Sequence, residues 1–125
     1  MGFALSDMQL TSTAFADGEH IPAKHTGESD DVSPQLAWTN PPEGTKAFAL
    51  ICHDPDAPLI KPGNYGYVHW VLYNMPPATS ALAEGMTSAQ LPTGTLEGSN
   101  DWNRTGYGGP CPPMGRHRYF FRLYA

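Results

Sequence analysis

The chain has 125 residues, enough for a single domain over 1–125 that buries roughly two thirds of the surface its unfolded form exposes. Its net charge is −5 and its sequence pI is about 5.3, which argues against a dedicated nucleic-acid-binding protein, because such proteins normally carry a basic stripe. Thirteen prolines and thirteen glycines beside only 15% charged residues predict many turns and short strands, and therefore a β-rich fold.

Export, membrane and disulfide signals are all weak. No segment approaches the roughly 20 consecutive apolar residues that span a membrane, and the N-terminus lacks a basic region followed by an apolar run. We therefore expect a cytoplasmic protein without a membrane span. Cys52 and Cys111 lack CxxC spacing, so free thiols are expected.

The first third of the chain predicts short strands joined by turns. Residues 10–15 are rich in β-branched and apolar side chains and lead to a turn at Asp17-Gly18, and 21–25 are expected to continue that hairpin. Residues 27–34 are polar and turn-forming, and 36–38 alternate as a short strand does.

The middle of the chain contains the two strongest strand signals. Residues 47–52 form a continuous apolar run, typical of a strand buried on both faces, and 67–73 form a second such strand. His69 lies within this apolar and aromatic segment, where an unpaired polar side chain is costly. We expect Asp54 or Asp56 to be its partner.

The last third combines loops with a final strand. Residues 80–84 predict one helical turn, 94–104 a loop, 107–113 a rigid Gly/Pro-rich rim, and 117–124 a strand. The segments 54–58 (Asp-Pro-Asp-Ala-Pro) and 115–119 (Gly-Arg-His-Arg-Tyr) set acids and histidines beside residues that restrict the backbone. They are interpreted as two walls of one small polar pocket.

Five motifs occur in an order that resembles the phosphatidylethanolamine-binding protein family, in particular its bacterial Raf-kinase-inhibitor-like branch. They are Ser33-Pro34-Gln35-Leu36-Ala37-Trp38, Asp54-Pro55-Asp56-Ala57-Pro58, Val68-His69-Trp70, Gly108-Gly109-Pro110-Cys111-Pro112-Pro113 and Gly115-Arg116-His117-Arg118-Tyr119. The resemblance covers almost the whole chain, and five ordered motifs are far more specific than any one alone.

The resemblance implies an antiparallel β-sandwich with a small anion pocket and no settled catalytic reaction or cofactor. The pocket residues that it implies are Asp54, Asp56, His69, Cys111, His117 and Tyr119. Family members usually continue into a C-terminal segment with a helix and a further strand, whereas this sequence ends at Ala125. Either the protein is naturally short, or the sequence is a fragment, or the segment is a separate chain. An exposed core face or sheet edge is therefore expected, and with it self-association, for example as a homodimer, or a partner that completes the fold.

His69 and His117 can donate hydrogen bonds to a phosphate group, whereas a carboxylate repels it. Asp54 or Asp56 is therefore expected to orient a histidine, although an aspartate in such a loop can also form an Asx turn. A histidine that only satisfies a neighbouring carboxylate remains an alternative, as does a metal site of two histidines and two aspartates.

Other residues have structural interpretations. Arg118 faces away from His117 and Tyr119 by the two-residue period of a strand, and a structural ion pair is expected for it. Trp38 and Trp70 are expected in the core rather than in the pocket.

The pocket residues together with the resemblance predict a non-enzymatic module that binds a small phosphorylated or anionic ligand; the resemblance implies that a phospholipid head group is one such ligand. The alternative, which the resemblance also suggests, is a protein–protein regulator that inhibits a kinase or another enzyme through the same pocket. A hydrolase that uses an Asp–His pair is a third possibility, but no nucleophile elbow, HExxH or P-loop sequence supports it.

Overall fold

The computed structural model describes residues 6–56, 66–110 and 117–125, and within them the chain forms two antiparallel sheets. One sheet has the order β1-β2-β5 and the other the order β6-β4-β3-β7. The strands are β1 Gln9–Thr11, β2 Leu36–Thr39, β3 Phe48–Asp54, β4 Tyr67–Met75, β5 Ala81–Leu82, β6 Leu96–Glu97 and β7 Phe120–Tyr124. Two short 3-10 helices, Ala23–His25 and Ser88–Gln90, complete the regular structure of the described residues. The predicted β-rich, antiparallel fold is confirmed.

The core lies between the two sheets. The rings of Trp38 on β2 and Phe48 on β3 are 5.5 Å apart and join the two layers. The fully buried apolar residues are Leu36, Trp38, Phe48, Leu50, Cys52, Trp70, Leu72, Met75 and Leu82. Both tryptophans expected in the core are there. Burial raises the pKa of the Cys52 thiol, which is free as predicted.

Strand β3 is central in its sheet, and it alternates buried and half-buried residues along its whole length. The prediction that 47–52 is buried on both faces is therefore wrong in detail, because the outer face of this sheet is only partly covered. The alternation has a consequence at the end of the strand: it places Asp54 on the same buried face as Leu50 and Cys52.

Strand β4 contains a bulge at His69. Cys52 pairs with Trp70 and His53 pairs with Val68, so one step along β3 corresponds to two steps along β4. The extra residue is His69, and both His69 and Trp70 are buried. Bulges re-aim side chains in this way and are frequent next to functional sites.

The hairpin predicted for residues 10–25 is wrong, because after Thr11 the backbone forms hydrogen bonds with a side chain instead of with a neighbouring strand. The side chain of Gln35 accepts hydrogen bonds from the Thr13 amide (2.9 Å) and hydroxyl (3.2 Å), so the strand does not continue to residue 15. Residues 23–25 form a 3-10 helix instead of a returning strand, with the His25 amide donating to the Pro22 carbonyl at 3.0 Å.

Two further local predictions need correction. Residues 80–84 do not form a helical turn, because Leu82 pairs with Leu36 across β5 and β2 and is fully buried. A single turn of helix is unstable alone, so the tertiary contact decides. The predicted loop 94–104 contains the short strand β6 at the edge of the larger sheet, and the final strand begins at Phe120 rather than at residue 117.

Among the described residues, the exposed large apolar side chains lie on strands of the four-stranded sheet. They are Tyr73, Leu96, Phe120 and Tyr124. Self-association through a sheet face or edge stays a prediction.

Candidate functional site

Asp54 ends strand β3 with both carboxylate oxygens already bonded. Its Oδ1 accepts the Asp56 amide at 2.8 Å, which forms an Asx turn, and its Oδ2 accepts Nδ1–H of His117 at 2.7 Å. Asp54 therefore both orients a histidine and forms the Asx turn. Gly66, at φ +74°, packs so closely on the Asp54 main chain that a side chain there would collide with it.

Asp56 forms an ion pair with Arg118. Its carboxylate accepts Nε and Nη2 of Arg118 at 2.9 and 2.8 Å, and the Arg118 amide at 2.7 Å. These hydrogen bonds from Arg118 lower the pKa of Asp56 to about 2. The structural ion pair expected for Arg118 is confirmed, and Asp56 contributes to the site by fixing the backbone beside His117.

His69 is held by the main chain rather than by an aspartate. Its Nδ1 donates to the Gly108 carbonyl at 2.8 Å, and the Gly108 amide donates back to the His69 carbonyl at 3.1 Å. The expectation of an Asp54 or Asp56 partner is wrong, because the bulge turns the ring towards the 107–110 segment. Burial lowers the pKa of His69 and favours the neutral imidazole.

Three aromatic rings surround the imidazole of His69. The ring centroids of Tyr67, Trp102 and Tyr119 lie 5.4, 5.0 and 5.3 Å from that of His69. Trp102 was not among the residues expected here. It is held by Asn100, whose buried side chain accepts the Trp102 amide at 2.9 Å. An Asn two positions before an aromatic residue in a loop is the signal that could have indicated it.

Tyr119 lies against both histidines. Its ring is nearly parallel to that of His117, with the centroids 6.5 Å apart, and nearly perpendicular to that of His69. The structure thus brings together four of the six predicted site residues: Asp54, His69, His117 and Tyr119. Cys111 lies outside the described residues.

The described part of the predicted rim, 107–110, is fixed by a loop that the sequence analysis treated only as turn-forming. Asp31 Oδ1 accepts the Gly109 amide at 2.7 Å, the Gly27 amide donates to the Pro110 carbonyl at 3.0 Å, and the Tyr107 hydroxyl donates to a main-chain carbonyl at 2.7 Å. The rim is therefore tied to His69 on one side and to the 23–32 loop on the other.

Within 6–56, 66–110 and 117–125, no three His, Cys, Asp or Glu side chains are grouped so as to hold a metal ion. The same residues include no helix that is long and apolar enough to cross a bilayer. The chemistry available is that of two imidazoles whose Nδ1 atoms are both engaged within the protein. The second nitrogen of each ring, Nε2, can accept a hydrogen bond when the ring is neutral with its hydrogen on Nδ1, and can donate one when the ring is protonated.

Comparison with known proteins extends over nearly the whole chain. Residues 11–125 match the family model described as phosphatidylethanolamine-binding protein. The UPF0098 protein of Methanothermobacter thermautotrophicus is 46% identical over 119 residues, which is 94% of this chain and 76% of that protein. The UPF0098 protein YbhB of Escherichia coli is 40% identical over 126 residues, which covers 94% and 77% of the two chains.

Solved structures show the same similarity in three dimensions. YbcL of Escherichia coli, described as a new member of the mammalian PEBP family, superimposes with a TM-score of 0.86 at 37% identity, over 96% of this chain and 77% of that one. A phosphatidylethanolamine-binding protein homologue from Chlamydia trachomatis gives 0.85 at 38% identity, over 97% and 76%. The chain belongs to the phosphatidylethanolamine-binding protein family.

Proposed function

We propose that this protein is a non-enzymatic binding module that captures a small phosphate-like anion between His69 and His117. The observation that carries the proposal is the shared hydrogen-bond arrangement of the two rings. Nδ1 of each is tied to a fixed acceptor, Gly108 O or Asp54 Oδ2, at 2.8 and 2.7 Å. Such ties hold a ring in one orientation before any ligand arrives, which reduces the entropy cost of binding.

The aromatic rings around His69 favour an anion of low net charge that is enclosed by the protein. Tyr67, Trp102 and Tyr119 exclude water from the His69 ring, so a hydrogen bond made there is electrostatically stronger than in bulk water. Asp54 serves the anion indirectly, since both of its oxygens already accept hydrogen bonds from the protein. A phospholipid head group and a phosphorylated metabolite or side chain all offer the required phosphate oxygens.

Isothermal titration calorimetry with inorganic phosphate tests the proposal. We expect saturable binding to the wild type and at least a tenfold loss of affinity in His117→Ala, because the variant lacks one hydrogen-bonding ring. Lys46→Ala removes an exposed positive charge before the opposite end of β3 from Asp54 and should bind like the wild type. Equal affinity in all three proteins would contradict the proposal.

The absence of catalysis is a separate part of the proposal. We expect no turnover of p-nitrophenyl phosphate or of phosphodiesters above the buffer rate. A rate that disappears in His117→Ala would instead indicate a hydrolase that uses the Asp54–His117 pair as a general base.

A second candidate function, a regulator that binds a protein partner through the same site, is favoured by an open groove beside it. His117 and Tyr119 line this groove together with apolar side chains such as Phe15, Ile21 and Phe121. A kinase or another enzyme that presents a phosphorylated or acidic side chain is the expected partner. Binding of such a partner should weaken as free phosphate is added. Binding that is insensitive to phosphate would indicate that the interface lies elsewhere.

A further inference from the structure

The open groove beside the site is lined by residues of both sheets. All three residues of β1, Gln9–Thr11, line it, and so do Phe120 and Phe121 of β7. Each of these strands is the last of its sheet within the described part of the chain. A strand at the end of a sheet leaves one row of main-chain N–H and C=O groups without a partner strand. The groove is therefore flanked by strand edges that can bind a further strand.

The register of β1 shows which of its main-chain groups point outward. Leu10 lies opposite Trp38 on β2, and the Trp38 amide donates to the Ser80 carbonyl at 2.9 Å, on the side away from β1. Opposite residues of an antiparallel pair alternate between those that exchange hydrogen bonds and those that do not. Leu10 and Trp38 are of the second kind, so the amide and the carbonyl of Leu10 point to the outer edge of β1.

The floor of the groove is apolar. Leu10, Phe15, Ile21 and Phe121 are half-buried there, and the rings of Phe15 and Phe121 are 5.9 Å apart. The groove has a volume of about 1060 Å³, at the upper end of the range of small-molecule pockets. Its size and its open side suit an extended polypeptide, whose alternate side chains enter such a floor.

Three carboxylates stand at the border of the groove without a cation. Asp17, Glu19 and Glu28 are exposed, and none of them forms an ion pair with another described residue. The guanidinium of Arg118, which also lines the groove, is already paired with Asp56 at 2.8 Å. The excess charge at the border is therefore negative. It favours lysine or arginine side chains and opposes a second copy of this chain, whose net charge is −5.

We propose that this groove binds an extended segment of a partner protein in which lysine or arginine residues alternate with apolar residues. One residue of the segment exchanges both main-chain hydrogen bonds with Leu10, and its apolar side chains lie on the floor. Its basic side chains reach the three carboxylates at the border. The main chain supplies affinity and the charges supply selectivity. Neither Asp54 nor His69 lines the groove, so the inference does not rest on the proposed anion binding.

Fluorescence anisotropy with labelled peptides tests the inference. The probe is a short peptide of alternating lysine and valine residues. One control peptide has glutamate in place of each lysine, and the other has the same composition with all lysines before all valines. The alternating lysine peptide should bind at least about tenfold more tightly than either control. Equal binding of the three peptides, or no binding of the lysine peptide to a protein that binds phosphate, would overturn the inference and leave the proposed function intact.

Two double variants that lose the same charge locate the bound peptide. Glu19→Gln/Glu28→Gln removes two carboxylates of the border and should weaken the lysine peptide by about fivefold, as expected for two exposed ion pairs. Asp7→Asn/Glu43→Gln removes two exposed carboxylates that do not line the groove and should bind the peptide like the wild type. An equal loss of affinity in the two variants would overturn the assignment, because it would come from the net charge.

Hydrogen exchange tests the strand pairing. Saturating lysine peptide should slow exchange at the Leu10 amide by about tenfold or more, because this amide gains a hydrogen-bond acceptor. The Trp38 amide already donates to the Ser80 carbonyl and is the internal control, whose exchange should change less. Unchanged exchange at Leu10 would contradict the pairing with β1.

Two further measurements test the other possible occupants and positions. Inorganic phosphate, added at constant ionic strength, should leave the affinity for the lysine peptide unchanged. Displacement by phosphate would place the peptide in the anion site and overturn the inference. Sedimentation should show the same oligomeric state with and without the peptide. A dimer that dissociates when the peptide is added would show that a second copy occupies the groove, and would likewise overturn the inference.

Discussion

At the scale of single residues, the two histidines of the site are held by partners of different charge. The carbonyl of Gly108 orients His69 without adding a charge, while the carboxylate of Asp54 orients His117 and places a negative charge beside it. A buried imidazole with only a carbonyl partner is the one that resists protonation. This difference affects folding as well as binding.

Stability should therefore depend on pH through His69. Its pKa is lowered in the folded state, so between that pKa and the ordinary value of 6.5 the unfolded chain binds more protons. The free energy of unfolding should decrease as the pH falls below about 6.5. Urea denaturation at about pH 7.5 and about pH 5 should show a smaller loss in His69→Asn, which does not titrate, than in the wild type. An equal loss of stability in the two proteins would mean that other titrating groups cause the pH dependence.

The Asp56–Arg118 ion pair gives a second residue-level prediction. Because two side-chain hydrogen bonds from Arg118 hold the pKa of Asp56 at about 2, Arg118→Ala should return it towards 3.8. Arg118→Lys should give an intermediate value, since lysine cannot form the paired hydrogen bonds. An NMR titration of the Asp56 carboxyl carbon measures this shift.

Arg122 provides the matched control for that titration. Its guanidinium stacks on Phe120 at 5.4 Å, as that of Arg118 does at 5.6 Å, but only Arg118 bonds Asp56. The pKa of Asp56 should stay unchanged in Arg122→Ala. The pair stabilises the fold above the ordinary pKa of Asp56, and this contribution is lost as the pH falls towards about 2.

At the scale of elements, strand β3 connects the core to the site. Leu50 is fully buried and pairs with Leu72 on β4 and Leu123 on β7, whereas its neighbour Ile51 lies on the half-buried outer face. Leu50→Ala should cost about 2–5 kcal/mol of stability, because it opens a cavity in the core. Ile51→Ala should cost clearly less in a urea denaturation experiment, and an equal cost would mean that the outer face is covered.

The elements also show what the sequence could predict. Strong apolar runs located β3 and β4, and the ion pair expected for Arg118 is present, although residues 117–119 precede the final strand. The bulge could not be predicted, because a register shift depends on the neighbouring strand, and without it the partner of His69 was misassigned. Leu82 likewise belongs to a strand only because Leu36 is there to pair with it. Local propensity is a weak guide where such contacts dominate.

At the scale of the whole molecule, the site is assembled from stretches that are far apart in the chain. Asp54, His69, the 107–110 rim and His117 come together only when the sheets form, and the 23–32 loop then fixes the rim from outside. The sequence indicated the first four through their motifs. It could not indicate Asp31, since an acid in a polar, turn-forming segment looks like any solvated loop residue.

Asp31 should therefore control anion affinity without belonging to the cluster around His69 and His117. Its carboxylate holds the Gly109 amide at 2.7 Å, next to the Gly108 carbonyl that orients His69. Asp31→Ala should weaken phosphate binding and speed hydrogen exchange at the Gly109 amide, because the rim loses its brace. Asp31→Asn should restore both the affinity for phosphate and the protection of the Gly109 amide, since the amide oxygen can accept the same hydrogen bond and asparagine tolerates the φ of +55° at this position.

Asp30→Ala, a substitution at an exposed neighbouring residue, controls for the loss of a negative charge. If Asp30→Ala and Asp31→Ala change affinity equally, the effect is long-range electrostatics; if only Asp31→Ala does and Asp31→Asn rescues it, the loop positions the rim that orients His69.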